Sequence, residues 1–94
     1  MWPLRIVRVA DRSMEPTIKD GSFVLALFSF FGLRAGDIVL LRHPASHMLI
    51  IKRVLRISGD KVWVEGDNKK ESSDSRKFGW VDSRNVAGKV IVRL

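Results

Sequence analysis

The stretch HMLIIKRVLRISGDKVWVEG, His47 to Gly66, decides how this chain is read. His47–Ile57 is dense in Ile, Leu and Val, the residues that fit a pleated, half-buried surface. Ser58–Asp60 interrupts it with a glycine-containing turn, and Lys61–Gly66 resumes the β-prone pattern. Two such runs joined by a short turn predict an antiparallel hairpin. Upstream, LRIVRV (Leu4–Val9) mixes basic and apolar residues with the period of two expected of a half-buried strand. SFVLAL (Ser22–Leu27) and GDIVLLRH (Gly36–His43, stopped by Pro44) read as further strands, and VAGKVIVRL (Val86–Leu94) closes the chain as the last one. DNKKESSDSRKFGWVD, Asp67 to Asp82, is polar and loop-like, and long ordered loops in small domains tend to carry function. There is no internal repeat, linker or helix longer than a turn or two. The expected fold is mostly β: one small, antiparallel, partly closed barrel-like domain over residues 1–94.

Composition narrows the function. The chain has 94 residues, 46% of them apolar and 29% charged, as a globular domain has. It contains no cysteine, which excludes disulfides, thiolate zinc sites and cysteine nucleophiles. The net charge of +7 comes from scattered basic residues rather than a block, so no nucleic-acid partner is expected. Arg5 and Arg8 break any signal-peptide core. The longest uncharged run, Ser22–Leu33, has twelve residues, short of the roughly twenty that span a bilayer. The expectation is a chain without a spanning segment or signal peptide, cytoplasmic or peripheral at a membrane face. The apolar run has two readings: buried strand and core, or a surface, Phe23–Leu33, that dips into a bilayer.

The chemistry centres on RSMEPTIKDG, Arg12 to Gly21. A serine hydroxyl is a poor nucleophile until a neighbour takes its proton. His43 and His47 flank Pro44 in a connection between strands and read as surface residues, not as a base or metal pair; no metal ligand set is expected. Lysine can act as base when burial lowers its pKa. On strand alternation Lys52 shares a face with Ile50 and Val54, and Arg53 shares one with Ile51 and Leu55. A lysine there either snorkels to water or is buried and neutral.

Four segments in order, SMEPT, RAGDIVLL, IKRV with SGD, and GDN with SSDSRKFGWV, resemble the conserved boxes of the signal peptidase I family of Ser/Lys endopeptidases. The resemblance runs from about Val9 to Val92. Ser-Met-x-Pro-Thr alone also occurs in LexA-type repressors; the four together are specific. The resemblance implies the signal peptidase/LexA type of catalytic domain, with Ser13 as nucleophile, Lys52 as general base and Ser72 orienting the lysine ammonium. It implies that Arg53, Asp67, Asp74 and Arg76 pair to stiffen the last box. An extended substrate would lie along Val7–Asp11 and Leu49–Lys52, touching Val9, Ala10, Asp11, Ile50 and Ile51. The implied partner is a precursor protein or peptide, and no cofactor is implied. Two positions before the nucleophile, bacterial members carry a small residue that helps the oxyanion. Here Asp11 stands there, and it either points away, is protonated, or meets a positive group on the substrate. The short length, LLRHP and VWVEGDN resemble the small nickel-type superoxide dismutase maturation proteases; mitochondrial inner-membrane proteases share much of the last box. Two other functions compete. A LexA-like self-cleaving or inactive regulator would bring a DNA-binding domain, which is not seen. A small basic nucleic-acid-binding β domain would line aromatics among its basic residues, whereas Trp2, Trp63 and Trp80 are isolated.

Overall fold

The computed structural model describes residues 2–29 and 32–94. Seven strands form one antiparallel sheet: β1 (Leu4–Arg8), β2 (Phe23–Leu27), β3 (Ile38–Arg42), β4 (Leu49–Ser58), β5 (Lys61–Glu65), β6 (Val81–Asp82) and β7 (Val86–Arg93). Their order across the sheet is β1-β2-β7-β3-β4-β5-β6. Although β1 and β4 are separated by three strands in this order, the end of β1 and the start of β4 line one cleft. The sheet therefore curls on itself into a half-barrel, the mostly β, partly closed architecture expected from the sequence.

The hairpin forms where the sequence places it. β4 and β5 pair down to Ser58 opposite Lys61, leaving Gly59 and Asp60 as the turn, with Gly59 at φ 58°. That left-handed conformation costs a glycine nothing. The polar segment after Asp67 is less irregular than expected. It contains a 3-10 turn (Lys69–Glu71), one turn of α-helix, α1 (Ser75–Phe78), and the two-residue edge strand β6, which pairs with β5 through Lys61–Asp82 and Val62–Val81. Elements this short carry no periodicity for a sequence reading to detect.

Two apolar clusters lie on opposite faces of β3 and β4. One gathers Val9, Met14, Ile18, Val24, Ala26, Leu40 and Ile51; the other gathers Val39, Leu41, Val54, Val62, Val64 and Val81. Val39 and Leu41 face one way and Leu40 the other, which is why β3 reads as a continuous apolar run rather than an alternating one. On β1 the inward face carries Val7 and Val9, while Ile6, 66% exposed, and Arg8 turn outward on the outermost strand of the sheet. In the apolar run after Ser22, Val24 and Ala26 are buried core while Phe23 is exposed; Phe30 and Phe31 lie outside the described residues.

Candidate active site

The loop after β1 is anchored at both ends. Val9 continues the β1–β2 ladder, donating to Ser22 O at 2.8 Å and accepting from Gly21 N at 2.7 Å. Met14 and Ile18, four residues apart, are both buried in the first cluster and joined by an Ile18 N–H to Met14 O bond of 2.9 Å. Ser13, immediately before the Met14 plug, is 2% exposed, and its carbonyl accepts from Asn68 N at 2.8 Å. Asn68 Nδ2 also donates to Arg12 O at 3.0 Å, so the last polar segment grips the serine loop from behind. The Ser13 hydroxyl makes one long contact, 3.5 Å to Ile51 O on β4.

Lys52 is the next residue along β4 and is 3% exposed, between half-buried Ile50 and buried Val54. Of the two readings the sequence left open, the chain adopts burial. Burial holds the Lys52 amine below the ordinary lysine range; Asp11 and Asp74 pull it back up, and Arg76 adds to the lowering. No hydrogen bond to this amine is formed among the described residues.

The remaining residues singled out in the sequence form two charged clamps. Arg53 donates to both oxygens of Asp67, at 2.9 and 2.8 Å, and to Gly36 O at 2.8 Å. Thr17 Oγ1 donates to the same Asp67 at 2.6 Å, tying the serine loop to the polar segment. Asp74, 0% exposed, accepts from Gly66 N at 2.9 Å, from Ser72 Oγ at 2.6 Å, and from Arg76 N, Nε and Nη2 at 3.1, 3.0 and 3.1 Å. Burial opposes its charge, but the bonds from Arg76, Ser72 and Gly66 outweigh burial and hold the carboxyl below its usual range. The Ser72 proton is committed to Asp74, so the lone pairs of Ser72 Oγ are what it can offer a lysine ammonium.

Three contributors, Thr17, Asn68 and Gly66, were not singled out from sequence. Thr17 and Asn68 act as above. Ser75, named in the last box without a role, accepts through Oγ from Val64 N at 2.8 Å and pins α1 to β5. Gly66 leaves no room for a side chain: a Cβ there would stand 2.5 Å from Ser13 O and 2.6 Å from Ser72 Cβ. The Gly-Asp-Asn run, Gly66–Asn68, was the available signal, since a glycine between a strand and a polar loop marks a close backbone approach.

A cleft of about 220 Å³ opens beside this arrangement, lined by Val7–Asp11, Leu40 and Met48–Ile51. All five residues expected to touch substrate, Val9, Ala10, Asp11, Ile50 and Ile51, are in its wall. Val54 bonds Asp37 and Gly36 on the β3 side, so by alternation Leu49 and Ile51 turn their peptide groups the other way. β5 pairs only from Arg53 onward, which leaves that edge of β4 open. Across the cleft Val9 bonds inward, so Arg8 and Ala10 turn outward. Asp11 does not point away: its Oδ1 accepts the Ser13 amide at 2.8 Å.

Residues 3–91 match the Peptidase S24-like family. Mitochondrial inner membrane protease subunit 1 of Mus musculus is 31% identical over 113 residues, spanning 95% of this chain and 68% of the relative. Mitochondrial inner membrane protease subunit 2 of Schizosaccharomyces pombe is 36% identical over 80 residues, spanning 65% and 44%. Signal peptidase I of Buchnera aphidicola is 30% identical over 78 residues, spanning 67% and 25%.

Proposed function

The chain belongs to the Peptidase S24-like family, among its signal peptidase I-like members, and we propose that it is a serine endopeptidase with Ser13 as nucleophile and Lys52 as general base. The observation that carries this is the burial of both groups at one open strand edge, with Ser13 Oγ against the carbonyl of the residue before Lys52. Burial lowers the Lys52 pKa and so favours the neutral amine, the form a base requires.

The substrate enters extended and adds as a strand between the outward peptide groups of Arg8 and Ala10 and those of Leu49 and Ile51. The Ser13 hydroxyl turns from Ile51 O toward Lys52, which takes its proton as Oγ attacks the scissile carbonyl. The oxyanion forms beside the Ser13 amide. As the intermediate collapses, the Lys52 ammonium protonates the leaving amine and an acyl ester remains on Ser13. Lys52 then deprotonates a water, which attacks the ester; as the intermediate collapses the acid product leaves and the lysine ammonium returns the proton to Ser13 Oγ. Ser72, Asp74 and Arg76 hold the lysine's surroundings, and Arg53, Asp67 and Thr17 hold the serine loop against the polar segment.

The substrate class is an N-terminal extension of a precursor protein, presented unfolded; nickel-type superoxide dismutase precursor is the candidate to which the sequence resemblance points. Among the described residues no helix is long and apolar enough to cross a membrane. Peripheral contact through Phe23–Leu33 is part of the proposal, resting on the exposed Phe23 (47%). The test is digestion of a diverse peptide mixture read by mass spectrometry. Cuts made by the native protein and abolished by both Ser13→Ala and Lys52→Met support the dyad; cuts that survive either change refute it.

A further inference from the structure

We propose that Asp11 is a specificity gate: its carboxylate occupies the Ser13 amide in the resting enzyme and leaves it for a cationic side chain of the substrate beside the scissile bond, so that precursors with Lys or Arg there are selected. This rests on the peptidase reading above.

The Ser13 amide has one hydrogen, and Asp11 Oδ1 holds it at 2.8 Å. The same hydrogen is the donor that an oxyanion forming on the attacked carbonyl needs. It cannot serve both. An ionised carboxylate left in place would also set an anion against the developing oxyanion. Catalysis therefore requires that Asp11 move and that its charge be met.

Within the protein the Lys52 amine attracts that carboxylate, but without a direct contact. Among the described residues Asp11 takes part in no ion pair within 4.0 Å. Of the residues lining the cleft, only Arg8 and Asp11 are charged, and the Arg8 guanidinium lies beside Gly21. Asp11 is thus the one anionic head group in a cleft whose other lining, apart from Arg8, is Val, Ala, Leu, Met and Ile. The protein as a whole carries +7, so an acidic group here is set against the general charge of the molecule. A cation on an extended substrate lying along Val7–Asp11 would pair with the carboxylate, draw it off the amide and cancel its charge in one step. Recognition and activation would then be the same event.

The experiment compares matched peptides carrying Lys, norleucine or Glu at each of the positions flanking the cut, hydrolysed by the native protein, Asp11→Asn and Asp11→Lys. The native protein should favour Lys over norleucine by about ten- to hundredfold in kcat/KM, the worth of one charge-assisted hydrogen bond. Because the cation frees the oxyanion donor, part of the gain should appear in kcat and not in KM alone. Asp11→Asn should lose the preference, and Asp11→Lys should turn it toward Glu. Equal cleavage of all three peptides by the native protein, or a preference for Lys that survives in Asp11→Asn, overturns the gate while leaving the peptidase reading intact. Hydrolysis of no peptide above the level of Ser13→Ala, by native protein and variants alike, overturns the peptidase reading and the gate with it.

Discussion

Replacing Lys52 by methionine should destroy the activity and raise the stability. Methionine keeps the length and apolar stem of lysine and deletes only the amine. In the native chain that amine is carried by a residue 3% exposed, on a strand face it shares with Ile50 and Val54. Exchanging a buried ionisable group for an apolar one of similar volume is neutral to stabilising by up to about 4 kcal/mol. Asp11 and Asp74 already return part of the cost by attraction, so a gain of about 1–2 kcal/mol is expected, or very roughly 5–15 °C in Tm for a domain of this size. The pH dependence carries the sign. Unfolded, the lysine titrates near about 10.4; folded, burial holds it lower. Between those values the unfolded chain binds a proton that the native chain does not, so native stability rises with pH there. The advantage of Lys52→Met should therefore be full at and below the folded value and vanish above about pH 10.4. Thermal unfolding from about pH 6 to pH 10, paired with peptide hydrolysis, measures both effects. A variant that is less stable than the native protein across this range would mean that the amine is a structural donor. A variant that still cleaves would remove Lys52 from the role of base.

Other expectations follow from the clamps. Asp74→Asn leaves Arg76 and Gly66 facing a poorer acceptor and should cost about 2–4 kcal/mol in urea unfolding. Because the native carboxyl titrates below its unfolded value, its contribution is present above about pH 4 and lost as pH falls through the folded value; the asparagine variant should show a flatter acid limb. Gly66→Ala pushes a methyl against Ser13 O and Ser72 Cβ, so kcat/KM should fall about 100-fold or more with the circular dichroism spectrum retained. Ser72→Ala removes the 2.6 Å bond to Asp74 and should cost about 1 kcal/mol of stability, with a fall of about 10–100-fold in kcat if it also positions Lys52.

The strands were legible because their signals are local. The β4–β5 hairpin follows from a long apolar run, a glycine turn and a second run; the first strand starts two residues later than that reading and ends one later, and the second ends one earlier. On β1 the sequence left open which of Ile6 and Val7 turns inward, and on an outermost strand the other can stay exposed. β6 was missed because two residues carry no period. In the site, the type of each group was readable but its partner was not. Thr17 and Asp67 stand fifty positions apart and meet only because the sheet curls. Whether Lys52 snorkels or is buried depends on the packing of Ser13 and the polar segment over one strand edge, which no window of sequence contains.

The four buried polar side chains among the described residues are Ser13, Lys52, Asp74 and Ser75, and their bonding divides them. Asp74 accepts from two backbone amides, a hydroxyl and a guanidinium, and Ser75 accepts from the Val64 amide at 2.8 Å. Groups satisfied in this way hold a structure together, and their loss registers as instability. Ser13 has one contact of 3.5 Å from its hydroxyl, and Lys52 has electrostatic neighbours without a hydrogen bond. A small domain has little stability to spare for burying polar groups so loosely held. That the loosely held pair occurs at the open edge of β4, beside the cleft, and the tightly held pair behind it, is the arrangement a nucleophile and its base require. Under the proposed mechanism the two pairs respond oppositely to substitution: Asp74 and Ser75 variants lose stability first, whereas Ser13 and Lys52 variants lose rate with stability kept or gained.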